Sequence, residues 1–404
     1  MKRLIHIALS LFMLFALLVT ECFALELESP YVLLINRNED AILYEKDSEK
    51  EISIASMTKL MTALVAREHI TDAQESVTVK WYELEGLIEA NASVAGFYAG
   101  ESVTYEDLLY GLLLPSGADA AQVLAYEIAG GVSEFVQLMN EKAEEMGLTH
   151  THFANTTGLD NPENYSTLRE VGMILEEVLK DPLLYEVLST RVYTTSSGRL
   201  TLLSTTEMYL RRLKIDMDYL IGGKTGSTPQ AGICFASVAE KDGVGYLCVV
   251  AGASYWSDTP YQILDSKELY EYYMEHYSYQ DMVSEGELLL SLPTLYCKEK
   301  EVSFYADHSV NRYLENSFEK EDVTLKYEGT EVITHKMKAG ELLGEVSVIH
   351  NGETVDRFPV ILAKEQEFDF MDYLAHHKKE AAICVTASLL ILTSFLLYRR
   401  KRKH

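Results

Sequence analysis

The sequence predicts an α/β chain of the α+β kind, strands and helices followed by a small all-β domain. Three observations predict it. Strand-like runs stand at both ends of residues 25–280, at Tyr31–Asn36 and Ala41–Glu45 and again at Gly232–Ala239 and Tyr246–Gly252. Between them, apolar residues recur at helical spacing. From about Leu288 the character changes to short strands, at 301–305, 323–327, 332–335, 345–349 and 354–362, with Asn351-Gly352 a strong hairpin signal.

The two ends are of a different kind. Residues 1–24 run from Lys2 and Arg3 through an apolar stretch to Cys22-Phe23-Ala24, the order of charge, apolar core and small residue of a secretion signal. Residues 381–398 form a second apolar segment, followed by the basic run Arg399 to Lys403 of a tail at 399–404. At about 1.5 Å per residue this segment is long enough for a thin bilayer, and the cations would hold its end in the cytoplasm. The expectation is an exported protein held at the outer face of the cell membrane by a C-terminal transmembrane helix. The part between is too long for one typical domain and enough for two, one of strands and helices over 25–280 and a β-rich one over 285–365, with 366–380 as connector.

The formal net charge of the 404-residue chain is -27, and the part outside the leader and the basic tail is more negative still. Such a surface argues against nucleic acid as a partner. Of five cysteines, Cys22 lies in the leader and Cys384 in the tail segment. Cys234, Cys248 and Cys297 are an odd number without metal-ligand spacing, so neither a disulfide framework nor a zinc site is indicated.

Taken in order, the first two strands are joined by a polar turn at Arg37–Asp40. From Leu60 the residues Leu60, Met61, Ala63, Leu64, Val65 and Ala66 suit a helix buried on most of its circumference. A polar stretch over 89–96 follows, and then a helix that Thr104 can cap, with Asp107 three residues on. That helix ends at Pro115-Ser116-Gly117, where another begins and runs to about Ile128. Helices are expected over 135–146, 168–179 and 183–188, with an irregular polar loop at 151–160. The runs at 232–239 and 246–252 form a hairpin through Asp242-Gly243. Lys224-Thr225-Gly226 falls on a neighbouring edge strand, and Tyr261–His276 is a tyrosine-rich helix.

Two polar residues at the start of the buried helix need a reason. Ser56 and Lys59 stand at i and i+3, so hydroxyl and amine can come within hydrogen-bonding reach. A serine attacks a carbonyl only if a neighbouring group takes its proton, and a lysine can do this when burial favours its neutral form. Taken alone, the pair reads more simply as a helix cap and a solvated charge. Ser116, at a junction of two helices beside glycine, can point into a cleft or merely punctuate the chain. Lys224 could attract a substrate carboxylate and Thr225 hydrogen-bond it, with Gly226 letting a ligand approach the backbone.

In this order Ser56-x-x-Lys59, Ser116-Gly117-Ala118 and Lys224-Thr225-Gly226 resemble the active-site triplet of penicillin-recognising serine enzymes. Leu112–Ala121, His152–Leu159, Tyr165–Thr167 and Gly223–Gly226 through Ala231–Cys234 are similar to D-alanyl-D-alanine carboxypeptidases of the low-molecular-mass penicillin-binding protein family, serine peptidases of the β-lactamase-like superfamily. The resemblance implies an antiparallel sheet covered by helices, with the site between the sheet edge and an all-helical region. It also implies removal of the terminal D-alanine from peptidoglycan stem peptides and inhibition by β-lactam antibiotics. Ser56 would be the nucleophile, Lys59 its base and Ser116 a proton relay. Lys224 and Thr225 would hold the terminal carboxylate, and the N–H groups of Ser56 and of Ser227, just after Gly226, would bind the oxyanion. No metal or cofactor enters.

Two departures stand out. Ala118 occupies the place of the family's usual asparagine, which binds the substrate backbone and steadies the lysine, and Asp119 or a water is the candidate to make up for it. Asn164 stands where relatives often carry histidine, in a loop read as structural. Ala118 leaves a second reading, a wall-binding or penicillin-binding scaffold with weakened chemistry. A β-lactamase is a third, for which no glutamate is placed after the Ser116 motif as a deacylating carboxylate.

Overall fold

A computed structural model describes residues 25–401; the leader expected over 1–24 and the last residues of the basic tail, 402–404, lie outside them. The chain forms two compact units, dividing between residues 274 and 275.

In the first unit, strands β1 (Tyr31–Asn36), β2 (Ala41–Lys46), β3 (Leu220–Thr228), β4 (Gly232–Lys241) and β5 (Val244–Ala253) form one antiparallel sheet in the order β2-β1-β5-β4-β3. The β4–β5 hairpin has the turn its sequence asks for. Asp242 and Gly243 take φ of 53° and 80° between β4 and β5, the pair of left-handed residues that matches the twist of the flanking strands. β3 is the sheet edge, as the Lys224-Thr225-Gly226 stretch predicts, and it pairs antiparallel with β4 from Leu220↔Ala239 to Thr228↔Gly232, with a register shift between Leu220 and Gly222.

Helix α1 (Thr58–His69) is buried from Thr58 to Ala66 and shares one core with α2 (Tyr105–Leu113), α3 (Ala118–Ala129), α4 (Val132–Glu145), α5 (Leu168–Lys180) and α6 (Pro182–Ser189). Thr104 caps α2 as expected: its hydroxyl accepts from the Asp107 N–H, and the Asp107 carboxylate accepts from the Thr104 N–H. α5 lies on the sheet, where a Cβ on Gly172 would stand 3.4 Å from Leu247 and 3.6 Å from Leu33. α7 (Thr205–Leu213) is not foreseen by the sequence, because its apolar residues are few and only Thr206 and Leu210 are buried. α8 (Tyr261–His276) follows β5.

Cys234 and Cys248 are free thiols on β4 and β5, buried in apolar surroundings that push both up to about 12.

The second unit is built of strands up to residue 361 apart from one turn of 3-10 helix at Lys320–Asp322, with its own core around Val346, Val348, Phe358 and Val360. Its strands include Glu301–Tyr305, Val323–Gly329, Leu342–His350 and Glu353–Ile361, the last two joined through Asn351 and Gly352 with φ of 50° and 83°. Tyr277–Val283, Leu288–Leu295 and Val310–Glu315 are strands that the sequence does not announce, the second of them carrying Pro293.

The expected transmembrane helix does not find support. Lys378–Lys401 is a helix, but among the described residues no helix is long and apolar enough to cross a membrane. The side chains of residue 381 and of 396–398, inside the expected span, are outside those described.

Candidate active site

Ser56 stands on a tight turn before α1 rather than on the helix itself. Ala55–Met57 is one turn of 3-10 helix that leads into α1 at Thr58, and Ala55 is held at φ 47°, a left-handed conformation that costs an L residue energy. The turn is fixed from two sides. A Cβ on Gly158 would stand 1.9 Å from the Ala55 carbonyl oxygen, and a Cβ on Gly226 would stand 3.0 Å from the Ala55 Cβ and 3.1 Å from the Ser56 nitrogen. The two glycines therefore let the 155–159 loop and the edge strand β3 press against the serine's backbone.

The Lys59 Nζ donates to the Ser56 Oγ at 3.1 Å and to the Thr157 carbonyl at 2.6 Å. Lys59 is 2% exposed, and burial holds its amine down at about 7, against an opposing pull from the Asp119 carboxylate. At neutral pH a large share of Lys59 is thus uncharged and able to accept a proton.

Lys224 is 0% exposed, and burial together with the charge of Lys59 holds its amine well below the ordinary value. Its Nζ donates to the Thr225 carbonyl at 2.7 Å. Neither lysine forms an ion pair with another described residue, so the site keeps two cation-forming groups for use. Lys224 and Gly226 lie two residues apart along β3, about 7 Å in an extended strand, which brings Lys224 near the Ser56 turn that Gly226 touches.

Ser116, between α2 and α3, has φ 64° and is 5% exposed, and its Oγ has no partner among the described residues. A buried hydroxyl without a hydrogen bond is costly unless something else meets it. Thr205 ties this junction to the sheet edge. Its N–H donates to the Leu114 carbonyl at 2.9 Å, and its hydroxyl shares a 2.7 Å hydrogen bond with that of Thr225. Thr205 is a site residue that sequence reasoning misses, since nothing marks a threonine at the start of an unforeseen helix. Thr225 itself is nearly buried, while Ser227 is exposed on the edge strand.

Ala118 is buried at the start of α3 and brings no polar group to the site. Asp119 does not take its place. One Asp119 oxygen accepts from the N–H groups of Ala95 and Ala120 and the other from those of Gly96 and Phe97, so this carboxylate fastens the 95–97 segment to α3. Asn164 is buried, with its Nδ2 donating to the Thr58 hydroxyl and its Oδ1 accepting from the Ala154 N–H, a packing role.

The D-alanyl-D-alanine carboxypeptidase family Peptidase_S11 matches residues 19–255, more than half of the chain. The chain belongs to this family. Residues 277–367 match the C-terminal domain of penicillin-binding protein 5. Among named relatives, the D-alanyl-D-alanine carboxypeptidase DacF of Bacillus subtilis (strain 168) is 27% identical over 351 residues, covering 84% of this chain and 85% of its own. The D-alanyl-D-alanine carboxypeptidase of Streptomyces sp. (strain K15) is 33% identical over 220 residues, 52% of this chain and 75% of its own. Two solved structures share the fold. The K15 DD-transpeptidase of Streptomyces has a TM-score of 0.55 and 30% identity, covering 61% of this chain and 97% of that one. Penicillin-binding protein 5 of Haemophilus influenzae has a TM-score of 0.61 and 22% identity, covering 85% and 98%. As a member of the carboxypeptidase family, the protein is a serine hydrolase of D-Ala-D-Ala ends.

Proposed function

We propose that the protein removes the terminal D-alanine from peptidoglycan stem pentapeptides through an acyl-enzyme on Ser56. The observation that carries this reading is the buried Lys59 amine, 3.1 Å from the Ser56 hydroxyl and brought down to about 7. Lys59 takes the hydroxyl proton as the Ser56 Oγ attacks the penultimate carbonyl. Backbone N–H groups of Ser56 and Ser227 receive the developing oxyanion, a contact whose loss costs about 2.7 to 4 kcal/mol in such enzymes. As the C–N bond breaks, Ser116 passes a proton to the leaving amine of D-alanine. Lys224, assisted by Thr225, grips the terminal carboxylate, and the arriving anion favours the ammonium form that burial by itself disfavours. Water then hydrolyses the ester and frees Ser56. β-Lactams open on the same serine and leave a slower ester.

The purified protein, incubated with diacetyl-lysyl-D-Ala-D-Ala and with labelled penicillin, is expected to release D-alanine and to carry label on Ser56. Ser56→Ala abolishes both; retained labelling would show that another residue is the nucleophile. Ala118 favours a second reading, a penicillin-binding scaffold, and label without D-alanine release would establish it.

The reading extends to place. The leader over residues 1–24 directs export, and the catalytic unit works on the wall side of the membrane. Digestion of the protein by protease added to intact, wall-stripped cells is the expected result, and full protection contradicts it.

A further inference from the structure

We propose that Asn155 is a positioning residue for the reaction: it holds the Thr157 carbonyl against the Lys59 amine and so supplies the orienting contact that Ala118 cannot make. The inference rests on the reading of Lys59 as the base.

Lys59 has a long, flexible side chain, and a base that wanders by an ångström loses much of its effect. Something must therefore aim its Nζ at Ser56. The side chain at 118 is a methyl group, and the Asp119 carboxylate is taken up by four backbone N–H groups. Apart from Ser56 itself, the one hydrogen-bond partner of the Nζ among the described residues is the Thr157 carbonyl, at 2.6 Å.

A main-chain carbonyl is only as well aimed as the loop that carries it. Here the loop is wound around one amide. Asn155 Oδ1 accepts from the Gly158 N–H at 2.7 Å, the Thr157 N–H at 3.1 Å and the Thr157 hydroxyl at 3.2 Å, while its Nδ2 donates to the Leu159 carbonyl at 3.0 Å. Backbone N–H groups can only donate, so the orientation of this amide is fixed by its partners. The peptide turns back at Gly158, with φ 78°, where a Cβ would collide with the Ala55 carbonyl. One residue before Thr157, the Thr156 carbonyl accepts from Thr62 on the next turn of α1 at 2.8 Å. Loop and helix are thus locked to each other, with Lys59 between the two contacts.

The neutrality of the amide matters as much as its shape. A carboxylate at 155 could accept the same three donors, but its charge would favour the ammonium form of Lys59 and take away the base. The aim of the Nζ and its protonation state therefore share one determinant.

The test measures kcat, KM and the pH dependence of D-alanine release for the full chain carrying Asn155→Ala, Asn155→Asp or Lys59→Met, with circular dichroism to check folding. Asn155→Ala is expected to lower kcat about 10- to 100-fold, part of the contribution of a well-placed general base, with KM little changed. Asn155→Asp keeps the three accepted hydrogen bonds but loses the one to the Leu159 carbonyl; it recovers part of that loss and moves the ascending limb of the pH profile to higher pH. Unchanged kcat and an unchanged limb in both Asn155 variants, with Lys59→Met inactive, would overturn the inference and leave the function standing. An active Lys59→Met would instead overturn the role of Lys59. Should Asn155→Ala fail to fold, an unshifted limb in Asn155→Asp overturns the inference by itself.

Discussion

Lys59 and Lys224 are both buried in one site, and neither is neutralised by a paired carboxylate among the described residues. Burial is the leading cause of the lowered amine in each, and Lys224 is lowered further by the charge of Lys59. The arrangement is unfavourable for stability and favourable for chemistry, since it leaves one amine to accept a proton and another to meet an anion. Its consequences are measurable.

Stability should depend on pH through Lys59. In the unfolded chain this amine titrates near its ordinary value, and in the folded protein at about 7. Between those values the unfolded state binds more protons, so the stability of the folded state rises with pH across that window and the penalty is greatest below pH 7. The slope from one such group is at most about 1.4 kcal/mol per pH unit. Chemical denaturation from pH 6.5 to 10 should show the rise in the parent and a flatter curve in Lys59→Met.

With Lys59 as the proposed base, acylation by penicillin should increase as pH rises through about 7, where Lys59 gives up its proton. Lys59→Arg keeps a cation but no usable base, as a guanidinium does not lose its proton in water. Stopped-flow labelling should find the rate at least about 100-fold lower at every pH.

Gly226→Ala should push the edge strand off the nucleophile turn. The added Cβ meets the Ala55 Cβ, the Ile54 carbonyl and the Ser56 nitrogen at 3.0 to 3.1 Å, closer than ordinary packing allows. A shift of this kind at reacting groups costs up to about 100-fold in rate. Expected is a loss of kcat/KM larger than the loss of stability, read from turnover and thermal melting of the same sample.

Asp119→Ala should loosen the 95–97 segment while leaving Ser56 and Lys59 in place. The carboxylate accepts from four backbone N–H groups and is nearly fully buried, and bonds to a charged group are worth about 1.5–3 kcal/mol each before the lost ones are partly replaced by water. A net loss of about 3 kcal/mol in urea unfolding is expected. Hydrogen exchange should quicken at Ala95, Gly96 and Phe97 more than at α1.

Much of the site is legible in the sequence because its parts are side chains at fixed spacing. Ser56 and Lys59 stand out as polar residues opening an apolar helix, and Lys224-Thr225-Gly226 is betrayed as a strand edge by the Asp242-Gly243 hairpin that follows it. What the sequence does not disclose is held by the main chain or by long-range contacts. The partner of Lys59 is a backbone carbonyl at Thr157, which has no residue signature, and its support by Asn155 looks in one dimension like an ordinary polar loop. One hint was available: Thr58 and Thr62 are hydroxyls in a buried helix, and both reach out to the 156–164 segment. Asp119 illustrates the reverse case. Adjacent to Ala118, it looks like a stand-in for the missing amide, yet α3 turns it toward residues 95–97. Thr205 joins the Ser116 junction to the Lys224-Thr225-Gly226 strand through contacts that no local pattern encodes.

The free thiols on β4 and β5 carry a last consequence. Disulfide exchange and metal capture both proceed through the thiolate, and a thiol held at about 12 offers almost none of it at neutral pH. Cys234 and Cys248 are also closed off from solvent in the native sheet. The described thiols of the first unit are thereby indifferent to the redox state of their surroundings, and enzyme prepared with or without a reductant should turn over at the same rate.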